Sequence, residues 1–189
     1  YDEPFEMLLP RLEPDHVGGA LSAAAGAERI DLARRKELIH SLNKYQPSQE
    51  VFEVACRMAG HPISLFQAMV EEGKVMAQEI GTLDSNDSEI FFYTGIPAND
   101  PREIFYFVAH ALLAGAPLIV KPSKNEPVLT HDLVKHLQRN GLPDGYINVL
   151  YAYTSNLEEA ELIKHMMELA PLSIVMGSTK VSPNQISFN

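Results

Sequence analysis

The sequence predicts an α/β fold: an open parallel Rossmann-like sheet with flanking helices, preceded by an all-α N-terminal segment. Two observations carry that reading. Short apolar runs at 89–94, 118–121, 146–150 and 172–176 are separated by segments with helical apolar spacing. Strands joined through such helices make right-handed crossovers and pair in parallel. Before residue 88, by contrast, the pattern is helical, with no strand-like run.

Taken in order, residues 1–27 mix prolines and acids with the small-residue tract Gly18 to Gly26, an irregular lead-in with room for one short helix. Residues 28–83 form the helical segment. Ile30, Leu32, Ala33, Leu38, Ile39 and Leu42 share a face of a helix from Ala27 to about Tyr45, with Arg34, Arg35 and Lys36 outside. Ser48 caps a second helix that stops at Gly60, and a third runs from Pro62 to about Ile80. Residues 88–189 form the Rossmann-like sheet unit. There Asp100 is an N-cap candidate, with Pro101 at the first helical position and Glu103 completing a capping box. Pro127 opens the next helix, with Val128, Leu129, Leu133, Val134 and Leu137 on its buried face. Gly141 to Gly145 stops it. Ser155 and Glu158 form a second capping box, and Leu157, Ala160, Ile163, Met166 and Met167 share the following helix's apolar face.

Totals narrow the function classes. Apolar content of 46% and charged content of 21% are globular values. A formal charge of -10 with no basic tract argues against nucleic acid or an anionic membrane as a partner. The most apolar stretch, Ile104 to Val120, is broken by His110, Gly115 and Pro117, so it reads as helix then strand rather than a membrane span. A lone cysteine, Cys56, excludes an internal disulfide and fits a cytoplasmic setting. It sits among Val54, Ala55 and Met58, where a buried inert thiol is expected. The histidines show no metal-ligand spacing, so no metal site is expected, and no serine has a recognisable triad partner. The start at Tyr1 and an end that closes no element suggest a piece of a longer protein.

In an open α/β sheet, ligands sit at the carboxyl ends of the strands. Three segments stand at or beside such ends, Pro97-Ala98-Asn99-Asp100-Pro101, Lys121-Pro122-Ser123 and Gly177-Ser178-Thr179; a fourth, Gly141-Leu142-Pro143-Asp144-Gly145-Tyr146-Ile147-Asn148-Val149, is a helix-to-strand turn that carries no chemistry. Each has an ordinary reading as a turn or polar strand exit. In this order, however, they resemble the nucleotide-binding half of the aldehyde dehydrogenase superfamily, which includes the acyl-CoA reductases. The resemblance covers roughly residues 28–182.

What the resemblance implies is specific. Pro97, Lys121, Ser123, Lys124, Gly177, Ser178 and Thr179 would hold a nicotinamide dinucleotide, NADP or NAD. Lys121 would contact the adenosine ribose, and the Gly177 segment would offer backbone N–H groups to the pyrophosphate. Asn99 would be catalytic, donating to the oxyanion formed when a cysteine thiolate attacks an aldehyde or acyl thioester. The hydride then passes to or from the nicotinamide. That cysteine belongs to a half this chain lacks, so the chain alone would not turn over.

Some positions depart from the family. Where it carries a glutamate that holds the NAD 2′-hydroxyl, this chain has Lys124, which attracts a 2′-phosphate and leans toward NADP. Ala98 and Asp100 replace aromatics, a departure closer to the acyl-CoA reductase branch. Ser182 and Pro183 replace the glycine and helix that would follow Gly177-Ser178-Thr179. These departures keep open a non-catalytic nucleotide-binding or interaction module, and the family leaves room for a homo-oligomer.

Overall fold

The computed structural model describes residues 11–85, 87–88, 90–96, 100–123, 127–152, 156–176 and 186–188. Its centre is a five-stranded sheet in which every pairing is parallel, in the order β3-β2-β1-β4-β5. The strands are β1 (Phe92–Gly95), β2 (Leu118–Lys121), β3 (Ile147–Val149), β4 (Leu172–Met176) and β5 (Ile186–Phe188). Helices α5 (Arg102–Ala114), α6 (Val128–Arg139) and α7 (Leu157–Leu169) connect the first four. The chain steps outward from β1 to β3, then returns across the sheet to lay β4 on the other side of β1. The fold class expected from the sequence is the one observed. The fifth strand was not expected: the polar surroundings of Ile186 to Phe188 give no strand signal without the partner β4 beside it.

Alternation along the strands divides the core in two. Phe92, Leu118 and Val120 face one side and join the larger cluster with residues of α2 to α6. Tyr93 and Ile119 face the other, packing with α1 and α7. Leu118, Ile119 and Val120 are fully buried, contributing about 1.5–3 kcal/mol each. A run buried on both faces reads as continuously apolar rather than alternating.

Ahead of the sheet lie α1 (Pro14–Ala25), α2 (Leu32–Leu42), α3 (Gln49–Ala59) and α4 (Ile63–Gly81). The lead-in is more ordered than the sequence suggests, since Pro14–Ala25 makes a 12-residue helix packed on β2, β3 and α7. Val17, Ala20 and Ala24 are its buried residues and join the core on that face of the sheet. Ser48 caps α3 as expected, accepting from the Val51 N–H at 3.3 Å, and Gly60 ends it in the left-handed region at φ 71°. Helix α4 lies along α5, and Gly73 is what permits this. A Cβ there would stand 2.7 Å from Phe105 Cδ2. No helix among the described residues is long and apolar enough to cross a membrane.

Several local expectations are corrected. Arg35, expected outside, is 2% exposed; its Nη1 donates to the Leu113 carbonyl at 2.9 Å and its Nη2 pairs with Asp87. A guanidinium at the C-terminal end of α5 meets that helix's orphan carbonyls and the negative end of its dipole. Gly115, at φ 67°, closes the same corner, where a Cβ would collide with the guanidinium. Asp100 caps α5 but through Arg102 N–H, at 3.0 Å, and Pro101 is the N-cap residue; no reciprocal box with Glu103 forms. On α7 the cap is Asn156, accepting from Glu158 N–H at 3.0 Å, while Ser155 lies outside the described residues. Leu157, expected on the apolar face, is 83% exposed, and Glu159 is buried instead.

Candidate functional site

The parallel register brings three strand tips together. Gly95 at the end of β1 pairs with Lys121 on one side and Val175 on the other, and Ile96 N–H extends the ladder to the Lys121 carbonyl at 2.9 Å. The reversal of strand order falls between β1 and β4, the place where open α/β sheets leave a crevice. Of the residues assigned to the site from sequence, Lys121 and Ser123 are described. Pro97, Asn99, Lys124, Gly177, Ser178 and Thr179 lie outside the described residues.

Lys121 has the properties of an anion or hydroxyl ligand. Its side chain is half-buried, and its Nζ donates to the Pro122 carbonyl at 3.3 Å. Among the described residues no carboxylate pairs with it. Burial, unopposed by a counter-charge, lowers its pKa from the ordinary lysine value. An ammonium partly stripped of water and left with one neutral acceptor gains from any phosphate or ribose hydroxyl that approaches. Ser123, two residues on, is also half-buried.

A second group was missed in the sequence. Arg102, in the first turn of α5, binds Asp100 through Nε at 2.8 Å and Nη2 at 2.7 Å, and reaches Glu72 on α4 through Nη1 at 2.7 Å. These bonds hold Arg102 firmly protonated. They fix the corner where the chain enters α5, next to the Asn99 segment. An Asp-Pro-Arg triplet at a helix start is the only sequence signal for it; the Glu72 partner comes from another helix.

Beyond that corner, α4, α5, β1 and β4 enclose a cavity of about 540 Å³. Phe92, Phe107, Leu172 and Ile174 make its walls, and Glu103, Tyr106 and His110 share the α5 side. The Tyr106 and His110 rings meet edge to face, 4.4 Å between centroids. Burial raises the Glu103 pKa, with the Asp100 charge adding to it, and burial lowers that of His110. Both groups are thereby biased toward their neutral forms.

Cys56 is separate from all of this. It is buried on α3, which packs on α4 and α6, and burial pushes its thiol up to about 11. At that value the thiolate is scarce at neutral pH, as the sequence suggests for an inert thiol. Among the described residues no cluster of His, Cys, Asp or Glu could hold a metal ion.

The model of the aldehyde dehydrogenase family matches residues 97–184. A curated relative, aldehyde dehydrogenase 1 of Tanacetum cinerariifolium, is 34% identical over 87 residues, covering 46% of this chain and 17% of that protein. Among solved structures, an oxidoreductase from Marinobacter aquaeolei superposes with a TM-score of 0.75 at 19% identity, over 91% of this chain and 41% of that one. Glyceraldehyde-3-phosphate dehydrogenase GapN from Methanocaldococcus jannaschii, solved with NADP, gives 0.71 at 17% identity, over 91% and 43%. The chain therefore spans less than half the length of each of these relatives. Residues 97–184 thus match the aldehyde dehydrogenase family model, and the chain shares its fold with these solved structures.

Proposed function

We propose that this chain is the nucleotide-binding part of an NAD(P)-dependent aldehyde dehydrogenase or acyl-CoA reductase. It positions a nicotinamide dinucleotide for hydride transfer to or from an acyl group held on a cysteine elsewhere in the parent protein. The observation that carries this reading is Lys121: a half-buried ammonium without a carboxylate partner among the described residues, at a strand tip beside the reversal of sheet order. Its chemistry fits a ribose hydroxyl or phosphate, so the described part of the site is compatible with the cofactor.

The division of labour follows from the chemistry. The nicotinamide, when bound, supplies the hydride acceptor or donor. Lys121 and Ser123 orient the adenosine end, with Lys124 selecting for a 2′-phosphate. Gly177, Ser178 and Thr179 receive the pyrophosphate, and Pro97 borders the nicotinamide side. Asn99 donates to the developing oxyanion, a contact of the kind whose loss costs about 3–4 kcal/mol. The Arg102–Asp100–Glu72 clamp fixes the start of α5, which follows Asn99 in the sequence. The nucleophile comes from outside this chain, since Cys56 is buried and raised to about 11. Its lone, buried cysteine also suits a cytoplasmic parent.

Calorimetric titration of the chain with NADP and with NAD tests the reading. Saturable binding of either supports it, and tighter NADP binding supports the role given to Lys124. No heat and no rise in Tm with millimolar concentrations of both removes the nucleotide. A second reading, a binding module without chemistry, predicts the same titration but a parent gene with no cysteine-bearing segment after residue 189.

A further inference from the structure

Along α5, the positions of Glu103, Tyr106 and His110 follow helical spacing, so one stripe of the helix carries all three. That stripe lines the cavity of about 540 Å³ against β1 and β4. The facing walls are apolar, with Phe107, Leu172 and Ile174 among them, and no lysine or arginine belongs to the described lining. Small-molecule sites have this size and this make-up: an apolar body with a few polar groups on one side that fix the ligand's orientation.

Glu103 is half-buried, and its carboxylate makes no hydrogen bond or ion pair among the described residues. The adjacent Arg102 is not its partner, because that guanidinium is committed to Asp100 and Glu72. One cation shared by two carboxylates leaves a surplus of negative charge, and Glu103 adds to it. The end of the cavity at the start of α5 is therefore acidic. Burial works against the Glu103 charge, the Asp100 charge adds to that cost, and Arg102 relieves only part of it. His110 lies about 10 Å further along the helix axis, at 1.5 Å per residue. It makes no hydrogen bond among the described residues, and burial biases it toward its neutral form, so it does not repel a cation.

We propose that this cavity binds a small amphipathic cation, an ammonium-bearing molecule whose head pairs with Glu103 and whose apolar body lies against Phe107, Leu172 and Ile174. The ammonium supplies the counter-charge that the described fold does not give Glu103, and the Tyr106 ring one turn away adds an electron-rich face. Lys121 and Ser123, the described residues given to the nucleotide, do not line this cavity, so the proposal does not rest on the nucleotide reading.

The test titrates the 189-residue chain with octylamine, octanol and octanoate by calorimetry, at about pH 8, where the amine is a cation. The three share one chain, whose extended length matches the span from Glu103 to His110. The amine is expected to bind at least about fivefold more tightly than the alcohol, with octanoate weakest. Glu103→Gln keeps the shape of the side chain and removes its charge, so amine and alcohol should then bind alike, with the affinity for the alcohol unchanged. Tyr106→Ala, at a position 37% exposed, should weaken the amine several-fold and keeps the proposal testable if the glutamine variant fails to fold. Saturating NADP should leave the amine's affinity unchanged. The proposal is overturned by equal affinity for amine and alcohol, which would leave a plain apolar face, or by a preference for octanoate. It is equally overturned by a cation preference that survives Glu103→Gln, by competition from NADP, or by no saturable binding of the amine at millimolar concentration.

Discussion

Replacing Lys121 by methionine separates its charge from its packing. The methylene stem and its burial are kept, while the ammonium and its bond to the Pro122 carbonyl are lost. A hydrogen bond to a charged group is worth about 1.5–3 kcal/mol, or roughly 10- to 160-fold in affinity. Because the group is only half-buried, water retains part of that energy, and the lower end applies: about a tenfold rise in the Kd for NADP. Stability should move the other way. Burial lowers the folded-state pKa of Lys121 below the ordinary 10.5, so the unfolded chain binds the proton more readily. Between the lowered value and 10.5 the native protein gains stability as pH rises, and below that window it bears the full penalty of a buried charge. Lys121→Met removes both the penalty and the slope, so Tm at pH 7 should be unchanged or higher. Calorimetry or NADPH fluorescence reads the affinity; tryptophan quenching is ruled out, as the chain has no tryptophan. Equal affinity of the two proteins for NADP, or a fall in Tm of several degrees, refutes the reasoning.

Lys124→Glu should shift preference from NADP toward NAD, measured as the ratio of the two Kd values; an unchanged ratio removes Lys124 from cofactor selection. Gly73→Ala drives a methyl to within 2.7 Å of Phe105 Cδ2, so α4 and α5 must part, at an overpacking cost of about 1–3 kcal/mol seen in urea unfolding. His110→Gln should flatten the acid side of the stability profile. Burial lowers the folded His110 pKa from 6.5, so the native protein loses stability as pH falls below 6.5 toward that lowered value, and the variant lacks this loss. Cys56 should resist iodoacetamide in the native protein near neutral pH and react once urea unfolds it; rapid native labelling would contradict its burial and raised pKa.

The sheet was legible because its strands are buried on both faces. Leu118 to Val120 must be continuously apolar, and the helices between strands keep a separate, slower period. Caps were legible where the side chain acts on its own turn, as Ser48 does. Features made by distant partners were not. Arg35 reads as one of three basic residues on a helix exterior, and nothing nearby in sequence announces Leu113 or Asp87. The Arg102 bond to Glu72 spans two helices, and β5 depends on a neighbour rather than on its own pattern. At the strand tips, Lys121 was legible by type and place, but its lack of a carboxylate partner among the described residues is a property of the packing around it.

The Arg35 contact also decides where this chain can be trimmed. Helix α2 supplies a side chain that helps satisfy the last turn of α5, and α5 leads directly into strand β2. Cutting away the leading helices to isolate the sheet would uncork α5, leaving the Leu113 carbonyl to the Ser85 hydroxyl alone and freeing Asp87. A minimal sheet unit for soaking or screening therefore has to begin upstream of α2, even though no residue of that helix approaches the strand tips in sequence.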